Sequence, residues 1–177
     1  MLKCFEASFP LSLDSVNFTE KKNMIQRIQT VYFAIAMLLI AFPIVLSEFF
    51  TISFGVDQLE STPFEIRNIT TNEVLTPSYA WVLMLIILVL LFLTIFSYKN
   101  RKRQLQIGWI AFTLHLLSVA WVLFEVIRFT QFQSKQDASF SMEMGFFCFA
   151  SAFLFIFFGI KGIRKDKALI DSLNRLR

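Results

Sequence analysis

The stretch Ala80-Trp-Val-Leu-Met-Leu-Ile-Ile-Leu-Val-Leu-Leu-Phe-Leu-Thr-Ile-Phe-Ser-Tyr98 decides the fold. From Val82 to Leu93 it holds no polar side chain. Its length suits a helix that rises about 1.5 Å per residue across a hydrocarbon layer of about 30 Å. Thr76-Pro77 just upstream reads as its N-cap and first-turn proline. Three further apolar runs of similar length lie at about 31–50, 107–127 and 142–162, beside this one at 80–98. Pro43 falls inside the first run and predicts a bend near Leu39, because it removes one backbone donor.

The rest of the chain agrees with a lipid solvent. Its 177 residues are 56% hydrophobic and 17% charged, with a mean hydropathy of +0.62. A soluble domain averages about a quarter charged residues, so this excess of apolar side chains needs a non-aqueous surrounding. Disorder, collagen and a disulfide scaffold are excluded. Phe occurs 23 times against three Trp and three Tyr, which favours side chains facing lipid over Tyr-rich recognition surfaces. The predicted fold class is therefore an all-α membrane protein with four transmembrane helices.

Lys and Arg set the orientation. Lys3, Lys21, Lys22 and Arg27 precede the first span, and Lys99, Arg101, Lys102 and Arg103 separate the second from the third. Lys161, Arg164, Lys165, Lys167, Arg175 and Arg177 follow the start of the last span's exit, while the opposite side holds Arg67, Arg128 and Lys135 alone. The positive-inside rule then places both termini in the cytoplasm, an N-in/C-in topology. The net charge of +4 follows from this asymmetry, and no nucleic-acid partner is expected. Tyr32, Tyr79, Trp81, Tyr98 and Trp109 fall near span ends, where amphipathic rings prefer the headgroup level, and Trp121 lies deeper.

The outer loop, residues 51–78, alternates in Thr51-Ile-Ser-Phe-Gly and Phe64-Glu-Ile-Arg-Asn-Ile around the turn residues Thr70-Thr-Asn72. It reads as short strands forming a small β-hairpin, or else as a polar tether over the helix ends. Residues 1–23 read as an upstream extension of the frame or a disordered leader, since Met24 would itself make a natural start. Residues 24–177 form the four-span domain. Its basic tail, 163–177, continues the fourth helix with Leu169, Leu173 and Leu176 on one face. Arg164, Lys165, Lys167, Arg175 and Arg177 are candidates for contact with lipid headgroups or a partner. A solvated helix end is the other reading.

Ionisable groups at membrane depth are the default places to look for function. His115 is the single histidine, eight residues into the third span. It reads as an interhelical packing group or as a proton relay. Glu125 and Arg128 are spaced to pair on the same helix near its outer end, and Glu48 ends the first span on that side. An interfacial Glu125–Arg128 ion pair is the expectation there, and a cluster that also takes in Glu48 is geometrically possible. Gly145, Ser151, Gly159 and Gly162 allow close helix approach on the fourth span. Cys4 and Cys148 form neither a disulfide framework nor a metal site, and one histidine excludes bis-histidine haem. No catalytic, cofactor or metal motif occurs.

Met24-Ile-Gln-Arg-Ile-Gln-Thr-Val-Tyr32 and Gly162-Ile-Arg-Lys-Asp-Lys-Ala-Leu-Ile-Asp-Ser-Leu-Asn-Arg-Leu-Arg177 carry a resemblance. With these ends, the chain resembles a bacterial group of small four-span inner-membrane proteins catalogued as a domain of unknown function, family 4293. The resemblance covers about residues 24–177. It implies a multi-pass location in the bacterial cytoplasmic membrane and brings no activity or catalytic residue. The expected role is structural, accessory or interaction-based, with the lipid bilayer and a membrane-protein partner or a homo-oligomer as partners. A small proton-linked transporter or channel-like oligomer using His115 is the alternative, and an enzyme acting on lipid ranks third.

Overall fold

The computed structural model describes residues 13–46, 48–54, 57–133 and 138–175. Helix α1 spans Leu13–Leu46, α2 Ala80–Phe96, α3 Arg101–Gln133 and α4 Met144–Arg175. Each contains a window long and apolar enough to cross a membrane, namely Ile28–Val45, Ala80–Lys99, Arg101–Arg128 and Met144–Ala168. Between α1 and α2 lie strands β1 (Phe50–Phe54), β2 (Asp57–Ser61), β3 (Glu65–Asn68) and β4 (Val74–Pro77), and β5 (Ala138–Met142) precedes α4. Residues 13–23, set apart as a leader by their composition, are the first turns of α1.

The helices form a closed ring in the order α1, α2, α3, α4, each antiparallel to its neighbours. A buried stripe from each fills the centre: Phe33, Ala36 and Ile40; Met84, Ile87 and Leu91; Ala111 and Val122; Phe149, Ala152, Ile156 and Ile160. The spacings of three, four and seven keep these side chains on one face. The stripes are narrow, since between 28% and 39% of each apolar window is buried. The remaining Leu, Val and Phe side chains point outward, for example Leu38 at 71% and Leu117 at 66% exposed. The four helices that carry these side chains are long and apolar enough to cross a membrane.

Helix α2 ends where Ser97–Lys99 tightens into a 3₁₀ turn. Asn100 then leaves helical geometry and caps α3: its carbonyl accepts from Gln104 N at 2.9 Å and its Oδ1 from Arg103 N at 3.4 Å. The upstream end of α2 corrects the sequence reading. Thr76 and Pro77 belong to β4, and the first turn of α2 is held instead by Ser78, whose Oγ accepts from Ala80 N at 3.3 Å.

The outer-loop reading is also corrected. It forms neither a tether nor a lone hairpin but four strands of a five-stranded antiparallel sheet, ordered β4-β3-β2-β1-β5. The fifth strand comes from the other connection at the same end of the bundle, with Phe50 opposite Met142 and Phe54 opposite Ala138. A two-stranded hairpin is marginal alone, and β5 together with the bundle supplies what it lacks. Phe50, Ile52 and Leu59 bury one face against the helix core. Phe49 and Phe50 reach Phe149 and Phe146 with ring centroids 5.5 and 4.8 Å apart. These contacts explain why the first span ends at Leu46 rather than residue 50, and the fourth begins at Met144 rather than 142. The expected turn is present: Asn68 Oδ1 accepts from Thr70 N at 2.9 Å, and Asn72 takes φ 58°, which Asn tolerates.

Candidate functional site

Polar groups gather at three levels of the bundle. At the sheet end, the last turn of α1 and the β2–β3 hairpin enclose a cleft of about 340 Å³ lined by Pro43, Glu48, Glu60, Glu65 and Arg67 among others. Strand register places Glu60 opposite both Thr51 and Arg67. Arg67 is taken up by an ion pair with Glu65. Glu143 is brought close because its backbone N–H donates to Phe49 O at 3.0 Å, and its Oε1 accepts from Thr51 and Ser141 hydroxyls, each at 3.0 Å. Partial burial, a hydrogen bond with Glu60 and the charges of Glu60 and Glu143 push the Glu48 carboxyl up to about 7. Glu48 is thus the carboxyl of this cleft that is pushed towards its protonated form.

Neither the expected Glu125–Arg128 ion pair nor a wider cluster with Glu48 is among the ion pairs of the described residues. Glu125 accepts a hydrogen bond from Ser78 Oγ at 2.9 Å, tying α3 to the start of α2. Arg128 is exposed and forms no ion pair; among the described residues the ion pairs are Arg67–Glu65 and Arg101–Asp166. Strand β2 and the α4 entry supply Glu48 with acidic neighbours instead.

Midway along α3, His115 is 0% exposed. It lies on the buried row Gln104, Gly108, Ala111, His115, Ser118, Val122. Its ring meets Phe149 edge-on at 4.9 Å, and neither ring nitrogen has a partner in good hydrogen-bond geometry. Ser118 turns back to its own helix, donating to His115 O at 2.7 Å. His115 does not line the cleft at the sheet end or the groove at the opposite end.

The third level is the end that carries the α2–α3 turn. Gln29 of α1 donates from Nε2 to Asp166 Oδ2 of α4 at 2.5 Å. Arg101 at the start of α3 faces the same oxygen at 3.9 Å and donates to Gln104 Oε1 at 3.1 Å. Gln29, Gln104 and Asp166 are all buried. Arg164 lies with its guanidinium carbon 4.8 Å from the centroid of Trp109. Lys165 is exposed and Lys167 half-buried. The side chain of Arg175, and Arg177 altogether, lie outside the described residues, as do Cys4 and Lys135.

Gln29, Arg101 and Asp166 escaped the sequence reading, although a signal existed. Gln29 stands at the head of the row Gln29, Phe33, Ala36, Ile40, and a polar residue on a buried stripe needs a partner. Asp166 is the lone acid between Lys165 and Lys167. Gly159 and Gly162 give α4 its close approach to α1: a Cβ on Gly159 would stand 2.6 Å from the Phe33 ring, and one on Gly162 2.7 Å from Gln29 Cγ. Among the described residues no three His, Cys, Asp or Glu side chains stand where they could hold a metal ion.

A comparison with curated proteins finds no match. Residues 25–176, including both signatures that meet at Gln29 and Asp166, match the model of the family described as Domain of unknown function (DUF4293), and the chain belongs to that family.

Proposed function

We propose that this chain is a multi-pass protein of the bacterial cytoplasmic membrane, with both termini and the α2–α3 turn in the cytoplasm and the five-stranded sheet on the outer face. Its role is structural or accessory: the sheet and the basic helix ends present contact surfaces, and lipid headgroups or a membrane-protein partner engage them. The observation that carries this reading is the burial of the histidine at mid-depth, fully enclosed against Phe149, while the two clefts with charged lining lie at the two ends. Basic residues at the α2–α3 turn and along the last turns of α4 support the orientation.

The test combines topology with partner capture. In a variant lacking native cysteines, Thr71→Cys in the β3–β4 turn should react with a membrane-impermeant maleimide on intact cells. Lys102→Cys should react only after permeabilisation. The reverse pattern would overturn the orientation. Crosslinking in native membranes should recover a stoichiometric partner or a second copy. Its absence, together with unchanged lipid binding on removal of residues 165–177, would remove the interaction role.

A second reading, a proton-linked transporter or channel-like oligomer, draws on the two unpartnered nitrogens of His115. Proton flux in proteoliposomes that His115→Ala abolishes would favour it over the first.

A further inference from the structure

On the lipid-facing side of α3, near the α2–α3 turn, a groove of about 710 Å³ is lined by Arg103, Leu105, Gln106, Ile107, Trp109 and Ile110. Leu105, Ile107, Trp109 and Ile110 make it largely apolar, and Arg103 and Gln106 are its polar lining. Arg103, Ile107 and Ile110 share one helix face by their spacing of four and three. Counting from Arg103, the groove follows α3 inward for about 10 Å, at about 1.5 Å per residue. The second cation comes from α4, where Arg164 is laid over the Trp109 ring at 4.8 Å. Both arginines are exposed, and neither makes an ion pair among the described residues. Arg101, their neighbour, is by contrast committed to Asp166.

The geometry points to a binding site for one anionic phospholipid, with its phosphate held by Arg103 and Arg164 and an acyl chain lying along Ile107, Trp109 and Ile110. This inference rests on the membrane reading above. Charge complementarity selects the occupant. Two exposed guanidinium groups without ion-pair partners among the described residues, one of them stacked on Trp109, favour an anion, and their planar forks suit phosphate oxygens. A free phosphate would satisfy the arginines and leave the apolar walls bare, whereas a phospholipid covers both. Stacking on Trp109 holds Arg164 in place before the ligand arrives, which lowers the ordering cost of binding.

Full-length protein in a neutral detergent, analysed by native mass spectrometry, tests the site. Phosphatidylglycerol should be retained as a one-to-one adduct on the order of tenfold more strongly than phosphatidylcholine. Millimolar inorganic phosphate should fail to displace it. The double variant R103Q/R164Q should reduce phosphatidylglycerol to the phosphatidylcholine level, R103K/R164K should recover part of the preference, and Arg67→Gln at the opposite end should change nothing. Equal retention of the two lipids by the wild-type protein, or full displacement by phosphate, would overturn the site without any variant. A chain that stays monodisperse without detergent would instead overturn the membrane reading.

Discussion

Gln29 and Asp166, 137 positions apart in sequence, meet through a 2.5 Å hydrogen bond that joins the start of α1's membrane window to the end of α4's. Both are buried, at 2% and 8% exposure. A carboxylate taken from water in this way requires partners, and Gln29 and Arg101 are those partners. The three residues come from three helices, so one contact fixes the relative height of α1, α3 and α4.

Removing the amide should therefore loosen the whole end. Gln29→Ala is expected to cost about 1.5–3 kcal/mol, the range for a hydrogen bond to a charged group. Gln29→Glu should cost more by setting two carboxylates together. Thermal unfolding of the purified protein in detergent measures both, and a melting temperature equal to wild type in Gln29→Ala would show that the contact does not hold the helices.

The glycines of α4 make a graded series. Gly159→Ala drives a Cβ to 2.6 Å from Phe33 Cζ and 2.8 Å from Cε1, and Phe33 is fully buried. Overpacking of this kind costs about 1–3 kcal/mol. Gly108→Ala, whose nearest contact is Ile160 Cγ1 at 3.3 Å, should cost clearly less. Combining Gly159→Ala with Phe33→Leu should recover part of the loss, and a double-mutant cycle reads the coupling. Strict additivity would separate the two positions.

The four long helices were legible because each is an apolar run of nearly unbroken hydropathy: the reading 80–98 meets α2 at Ala80–Phe96. Boundaries failed where apolar residues serve the sheet. Phe49 and Phe50 continue the first hydrophobic run, but Phe49 leads into β1 and Phe50 is its first residue. Thr70 to Asn72 announced a turn through local chemistry and formed one. The pairing of β1 with β5 could not be read, since it joins segments about 90 residues apart, and no periodicity reports on such a contact. The same is true of Glu48, whose neighbours Glu60 and Glu143 come from a strand register and from the entry to α4.

His115 makes a prediction opposite to that for a working relay. A buried imidazole with no good partner for either nitrogen gains little from its polarity, and an apolar replacement of similar size removes the desolvation cost. His115→Leu should therefore match or exceed wild-type stability, while His115→Ala opens a cavity beside Phe149 at about 2–4 kcal/mol. Denaturation in detergent gives the order. If Leu proves as damaging as Ala, the ring nitrogens carry an interaction that matters.

The sheet carries the pH dependence. Glu48 is raised from 4.5 to about 7, first by partial burial and then by Glu60 and Glu143. A carboxyl whose pKa is higher in the folded state binds its proton more tightly there, so the unfolded state holds fewer protons between the two values. The stability it confers is complete below pH 4.5 and declines as pH rises through about 7. Glu48→Gln should flatten that decline and strengthen the sheet at pH 8. Glu60→Gln removes one of the charges that raise Glu48, and should move the decline to lower pH. Hydrogen exchange of the β1 and β2 amides between pH 5 and 8, corrected for intrinsic rates, reads the effect. Protection that stays constant in the wild type across this interval would mean that Glu48 does not titrate with the sheet.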